Sequence, residues 1–267
     1  MTTLAHPIGD SAIMFRRSLV RMRRYPSMTV MLIGFPLMFL LLFVYVFGGT
    51  LGAGLPGTAG TGSRADYLAY VTPAIVLMAA ASAAQGTAIS VAMDRTAGIV
   101  SRFRTMPISA SSILGGHVLG SLVQSMLGMG VLLLLSVALG FRPGADVAQW
   151  LVLIGLLVLI ALALTWLTIA LGLVSRSVET ASNTPMFLMI LPFLSSGFVP
   201  TASMPAGLAW FADHQPFTPM IEALRGLLAG VWDGGTLALA AGWCGLIMVV
   251  GFVWARNLFR RPAPLAG

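Results

Sequence analysis

Six stretches of this chain, most of them about twenty residues or longer, carry almost no charge, and the charged residues gather in the short segments between them. A charge-free run of that length is enough for a helix to cross a ~30 Å hydrocarbon core. The runs predict helices over Met28–Phe47, Tyr67–Met93, Ser112–Leu139, Val147–Ser175, Thr180–Phe198 and Thr236–Ala255. The expected fold class is all-α: a polytopic membrane protein with six transmembrane helices, residues 1–267 forming one transmembrane domain.

The positions that break the pattern add detail. Before the first run, Ala5, Ile8, Ala12, Phe15, Leu19 and Met22 recur at helical spacing, while Arg16, Arg17, Arg21, Arg23 and Arg24 gather on the other side. Such a helix, over 5–24, lies in the headgroup plane with its cations at anionic lipid; a basic flank without structure is the alternative. Pro36 predicts a kink, and Gly48–Ser63 a flexible exterior loop. Tyr67 and Tyr70 read as interfacial anchors, and Ser82, Gly86 and Ser90 as a small-residue face for close helix packing. His117, Ser121, Gln124 and Gly128 follow one face of the third run, either as hydrogen-bonding groups between helices or as possible pathway lining. After the fifth run, Ser195–Gly230 holds two apolar pieces too short to span, broken by Pro200, Pro205, Pro216 and Pro219. Pieces of this kind predict a re-entrant or interfacial helical hairpin over 199–230.

Composition agrees with lipid as the solvent. Hydrophobic residues make up 58% and charged residues 9%, where a soluble domain carries roughly 25% charged residues. The net charge of +7 comes from Arg alone, since the chain has no Lys, and no soluble domain remains to carry a nucleic-acid site. Twelve of the fifteen Arg fall on one side of the six-span arrangement; only Arg64, Arg142 and Arg225 fall on the other. That asymmetry puts both termini in the cytoplasm. The first run reads as an anchor that stays rather than a cleaved leader, and Cys244, the single cysteine, as a small buried residue.

The chemistry expected of an enzyme is missing. Without Lys there is neither a Walker A motif nor a Schiff-base lysine, and His6, His117 and His214 are too scattered for metal-ligand spacing. Acidic residues lie at run ends or in loops, with only Glu222 a candidate for membrane depth, which argues against proton-coupled transport. Between the second and third runs stands Asp94–Ser109, DRTAGIVSRFRTMPIS, charged and ended by Pro107. It requires water or a protein partner.

Two segments resemble a known family. FLSSGFVPTASMPAGLAWFADHQPFTPMIEALRGLL, residues 193–228, resembles the hallmark of ABC-2 permeases of the daunorubicin-resistance type: Gly197–Pro200, Met204–Pro205, Gln215–Pro216 and Ala223–Gly226. Asp94–Ser109 resembles that family's first cytoplasmic loop. The resemblance implies a permease subunit of an ATP-driven exporter in a bacterial inner membrane, paired with a second copy or a related permease. It implies two copies of a separate ABC ATPase that bind the ATP and Mg²⁺, so that this chain has no catalytic residue and no cofactor. The cargo it implies is a hydrophobic or amphiphilic drug, antibiotic or lipid. A lipid-linked polysaccharide or envelope precursor, and a non-transporting scaffold role, are the alternatives.

Carried onto this chain, the likeness gives Asp94, Arg95, Gly98, Arg102, Phe103, Arg104 and Pro107 as ATPase-coupling residues, to which helical spacing adds Ile99, and Gly197, Pro200, Glu222 and Arg225 as the outer gate. The residues themselves are compatible with this. Ile99 and Phe103 would share one side of a short helix and anchor in a partner's pocket, rimmed by Arg102 and Arg104, although both could instead dip into the membrane. Glu222 and Arg225, three apart, could pair and so lower the cost of lying near lipid.

Overall fold

The computed structural model describes residues 26–55, 60–96 and 110–260. The expected helix over 5–24 and the coupling residues Gly98, Ile99, Arg102, Phe103, Arg104 and Pro107 lie outside them. Among the described residues all regular structure is helical. In chain order the α-helices are α1 (Pro26–Leu41), α2 (Gly48–Ala53), α3 (Arg64–Thr96), α4 (Ala110–Ala138), α5 (Val147–Val174), α6 (Val178–Asn183), α7 (Phe187–Ile190), α8 (Ala206–His214), α9 (Phe217–Leu228) and α10 (Gly234–Arg260). A π-helical turn, Leu42–Phe47, fuses α1 to α2, and this composite joins α3, α4, α5 and α10 as the five helices long and apolar enough to cross a membrane.

The bundle is arranged around α3. In its most apolar window 83% of residues are buried, against 17% in the first and last spans. Small residues make this possible, because they let neighbouring backbones come close. A Cβ added to Gly86 of α3 would lie 3.0 Å from Leu32 of α1, and one on Gly172 of α5 would lie 2.7 Å from the Ala88 carbonyl oxygen of α3. The small-residue face expected of Ser82 and Gly86 is thus in use, and both are buried. Opposite α3, α10 lies against α5: a Cβ on Gly251 would fall 2.6 Å from the Leu167 amide nitrogen. Cys244 is buried, as expected. Outward faces such as Leu239, Leu246, Val249 and Val253 of α10 stay exposed, as lipid-facing positions should.

Three expectations need correction. The loop predicted at Gly48 starts later, because Gly48–Ala53 continues the first helix. Two of its glycines serve close approach rather than flexibility: a Cβ on Gly52 would sit 2.4 Å from the Ser63 carbonyl oxygen, and one on Gly48 would sit 2.8 Å from the Arg64 side chain. Tyr67 and Tyr70 do not face the interface; Tyr67 is fully buried and Tyr70 half-buried, both turned inward. Nor is the fifth run a single regular helix. It is divided into α6, a 3-10 turn (Thr184–Met186), α7 and a second 3-10 turn (Leu191–Leu194). Pro185 and Pro192 each remove a backbone donor and obstruct the carbonyl four residues earlier, so uninterrupted α geometry is lost at both.

Candidate functional site

The segment that follows Leu194 turns sharply at Ser195–Phe198 and is buried throughout that turn. A helix ending there leaves carbonyls without partners, and in an apolar setting each must find a donor. Gln215, just before α9, supplies two: its Nε2 donates to the carbonyls of Leu191 (3.1 Å) and Leu194 (2.7 Å). Ser195 Oγ donates to the Pro192 carbonyl and accepts from the Gly197 amide at 3.1 Å.

The turn itself is held from α3 and α9. The Tyr67 hydroxyl donates to the Phe198 carbonyl (3.1 Å) and the Tyr70 hydroxyl to the Ser196 carbonyl (2.7 Å). Arg225 Nη2 also donates to the Ser196 carbonyl (2.8 Å), and Nε and Nη2 both reach the Tyr70 carbonyl at 3.3 Å. The guanidinium stacks 3.9 Å over the Tyr70 ring, where a desolvated cation–π contact adds to the hydrogen bonds. Arg225 therefore joins three elements: α3, the turn and α9.

Aromatic rings close the same region from the α1 side. Phe193 and Phe198 stack at 4.5 Å; Phe43 of the π turn meets Phe198 at 4.7 Å, and Phe39 meets Phe193 at 5.1 Å. Sequence reasoning did not single out these four. A Phe among Leu and Val adds nothing to a hydropathy pattern, although the four-residue spacing of Phe35, Phe39, Phe43 and Phe47 marks one helical ladder.

Of the expected gate residues, Gly197 lies in the turn, where a Cβ would come within 2.7 Å of Ala74 Cβ and 3.0 Å of Ile221 Cδ1. Pro200 starts a 3-10 turn, Thr201–Ser203, and its carbonyl accepts from the Ser203 amide (3.0 Å) and hydroxyl (2.7 Å). Glu222 is exposed on α9. The anticipated Glu222–Arg225 contact pair does not form: Arg225 bonds to backbone carbonyls, and Glu222 influences it only as a neighbouring charge.

The polar row on α4 lies on the far half of the bundle. Ser121 Oγ is 2.7 Å from Thr87 Oγ1 of α3 and 2.8 Å from Thr165 Oγ1 of α5, a buried three-helix knot. About one turn away, His117 Nε2 lies 3.2 Å from Asp94 Oδ2 at the end of α3. Gln124 is half-buried on the same face. Hydrogen bonding between helices thus occupies Ser121 and His117. Arg95 Nη1 donates to the carbonyls of Leu173 and Ser175 (3.0 Å to the latter), closing the C-terminus of α5 as a cation should. Asp94 and Arg95 are accordingly bound into their own chain, at the root of the loop that leads to Phe103.

Comparison with known proteins agrees with the two motifs. Residues 11–229 match the ABC-2 type transporter family. The chain is 29% identical over 231 residues to a daunorubicin resistance ABC transporter permease protein of Streptomyces coeruleorubidus, covering 85% of this chain and 78% of that one. It is 26% identical over 182 residues to a probable doxorubicin resistance ABC transporter permease protein found in two strains of Mycobacterium tuberculosis, covering 64% of this chain and 66% of the relative. A family match over most of the chain, together with the helical architecture, leads to one assignment: the chain belongs to the ABC-2 type transporter family, as a transmembrane permease related to drug-resistance exporters.

Proposed function

We propose that this chain is the membrane subunit of an ATP-driven exporter that moves a hydrophobic or amphiphilic compound out of a bacterial cell. Two copies of a separate ABC ATPase bind and hydrolyse the ATP and hold its Mg²⁺, and a second permease copy or a paralogue completes the pathway. The chain crosses the plasma membrane six times, with the interrupted α6–Leu194 segment as the fifth crossing and both termini in the cytoplasm. The helices α8 and α9 form a re-entrant hairpin at the outer side. The observation that carries this reading is the family match, which covers the loop 94–109 and the motif-bearing turn together. The relatives named for daunorubicin and doxorubicin resistance favour an apolar or amphiphilic drug-like cargo over a polysaccharide.

In this reading, closure of the ATPase dimer pushes on Asp94–Pro107. Phe103, with Ile99 behind it and Arg102 and Arg104 at the rim, sits in a groove of the ATPase; Gly98 and Pro107 bound the docking segment. Asp94 and Arg95 pass the push into the bundle, because they tie the loop's root to α4 and α5. The motion reaches the Ser195–Phe198 turn through α3, whose other end holds that turn by Tyr67 and Tyr70. Gly197, Pro200, Glu222 and Arg225 form the outer gate.

Co-purification with a co-expressed ABC ATPase subunit, followed by an ATPase assay across candidate drugs, tests the proposal. Phe103→Ala should leave the permease inserted while abolishing substrate-stimulated hydrolysis; stimulation that survives intact refutes the coupling assignment.

A further inference from the structure

At the Tyr70 end of the bundle a cavity of about 510 Å³ opens among the first turns of α3, the α4–α5 turn and the end of α9. Its size lies within the usual range for small-molecule sites. Two guanidiniums line it, Arg142 and Arg225, with one carboxylate, Asp66; Tyr70, Phe141 and Leu228 contribute ring and alkyl surface.

The three charges are not equally committed. Arg225 is fixed, with Nε and Nη2 engaged on the Tyr70 and Ser196 carbonyls, and Nη1 left over. Asp66 Oδ2 accepts from the Ser63 amide (2.7 Å) and hydroxyl (2.8 Å) in capping α3, so part of its charge is already answered. Arg142 is exposed at the rim and forms no ion pair with a described residue. Among its lining residues the cavity thus holds one formal positive charge in excess, beside apolar walls, while Glu222 stands outside the lining but near enough to act on Arg225 and Tyr70. Just beyond α9, Val231 and Trp232 are exposed (58% and 52%), the kind of apolar and aromatic surface that settles at the headgroup level.

We propose that this cavity binds the phosphodiester headgroup of a monoanionic phospholipid. Arg225 supplies the fixed cation and Arg142 folds over the phosphate, while the acyl chains leave along the apolar wall into the bilayer. A guanidinium suits a phosphate geometrically, since its fork of donors matches two oxygens at once. The site needs the bundle to lie in a membrane but neither an ATPase partner nor export, so it stands or falls apart from the transport reading.

Native mass spectrometry of the full-length permease, titrated with dioleoyl phosphatidylglycerol or dioleoyl phosphatidylcholine, tests it. Wild type should retain the anionic lipid preferentially, and Arg142→Gln should weaken that lipid at least about tenfold, as loss of a hydrogen bond from a charged donor implies. Asp66→Asn, which keeps an acceptor for the Ser63 cap, should tighten it. Arg176→Gln, an exposed arginine at the opposite end of the bundle, should leave it unchanged. The proposal is overturned if Arg142→Gln binds like wild type or if Arg176→Gln loses the lipid equally. Displacement by glycerol phosphate at matching concentration also overturns it, since the cavity then takes soluble anions. Thermal unfolding of each variant separates lost binding from lost fold.

Discussion

Gly197→Ala probes the turn at its tightest point. The backbone there does not demand glycine: the glycines with positive φ among the described residues are Gly60, Gly140 and Gly230, and Gly197 is absent from that set. Space demands it instead. The new methyl would stand 2.7 Å from Ala74 Cβ, 3.0 Å from Ile221 Cδ1 and 3.0 Å from Ser195 Oγ. Carbon atoms prefer 3.5–4.0 Å, so the turn must retreat from α3 by nearly 1 Å. Overpacking of this kind costs about 1–3 kcal/mol, and the same retreat lengthens the Tyr67 and Tyr70 bonds that cross the gap. The clash is chiefly with another Cβ, which offers a sharp control. Ala74→Gly removes that Cβ at an intrinsic helix cost of about 1 kcal/mol. In the double variant the two changes should therefore not add: the combined loss should fall short of the sum by about 1–2 kcal/mol. Thermal unfolding in one detergent, for wild type, both singles and the double, completes the cycle. Additive losses, or a Gly197→Ala protein as stable as wild type, would refute the packing argument.

Two further expectations follow from the same region. Arg225→Met removes the donor shared by the Tyr70 and Ser196 carbonyls, although Tyr70 still serves Ser196; a stability loss of about 2–3 kcal/mol by chemical denaturation is expected, together with loss of the proposed export. Glu222→Gln, at an exposed position, should shift stability by less than about 0.5 kcal/mol and keep the ATPase bound, so any transport defect reports gating; loss of assembly would overturn that role. At the start of α10, Asp233 accepts from Thr236 and the Gly235 amide, which holds its carboxyl below the usual value of 3.8. A lowered folded pKa stabilises above the unfolded value and is lost as pH falls through the folded one. Unfolding scans below pH 4 should therefore show an acid-dependent decline that flattens in Asp233→Asn.

The apolar runs made α3, α4, α5 and α10 legible to within a few residues at each end, because lipid-length hydrophobicity leaves little choice of structure. Glycine was the misleading signal. At Gly48 and Gly52 it permits two helices to cross almost in contact, and a sequence window cannot tell that use from a loop. Pro185 and Pro192 were visible within the fifth run, yet the turn that follows it depended on where the carbonyls of Leu191, Leu194 and Ser196 would find donors. Those donors, Gln215, Tyr70 and Arg225, come from distant parts of the chain. Spacing placed Glu222 and Arg225 close enough to pair, but a cation beside unpaired carbonyls has a better use for its donors than an exposed carboxylate. The polar row on α4 was legible as a row, and its partners Thr87, Thr165 and Asp94 were not, since each belongs to a helix whose rotation the sequence leaves open.

The donors of the Ser195–Phe198 turn also set a timetable for synthesis. Its carbonyls emerge from the ribosome after Tyr67 and Tyr70 but before Gln215 and Arg225. During that interval the Leu191 and Leu194 carbonyls lack the side chain that later receives them, and water at the membrane surface must serve in its place. The interrupted segment can settle to its final depth only after the chain has grown past Arg225. A nascent chain stopped before residue 215 should then expose this segment to water-borne labelling, and one released beyond residue 230 should hide it: roughly the last fifth of the protein completes the insertion of the part before it.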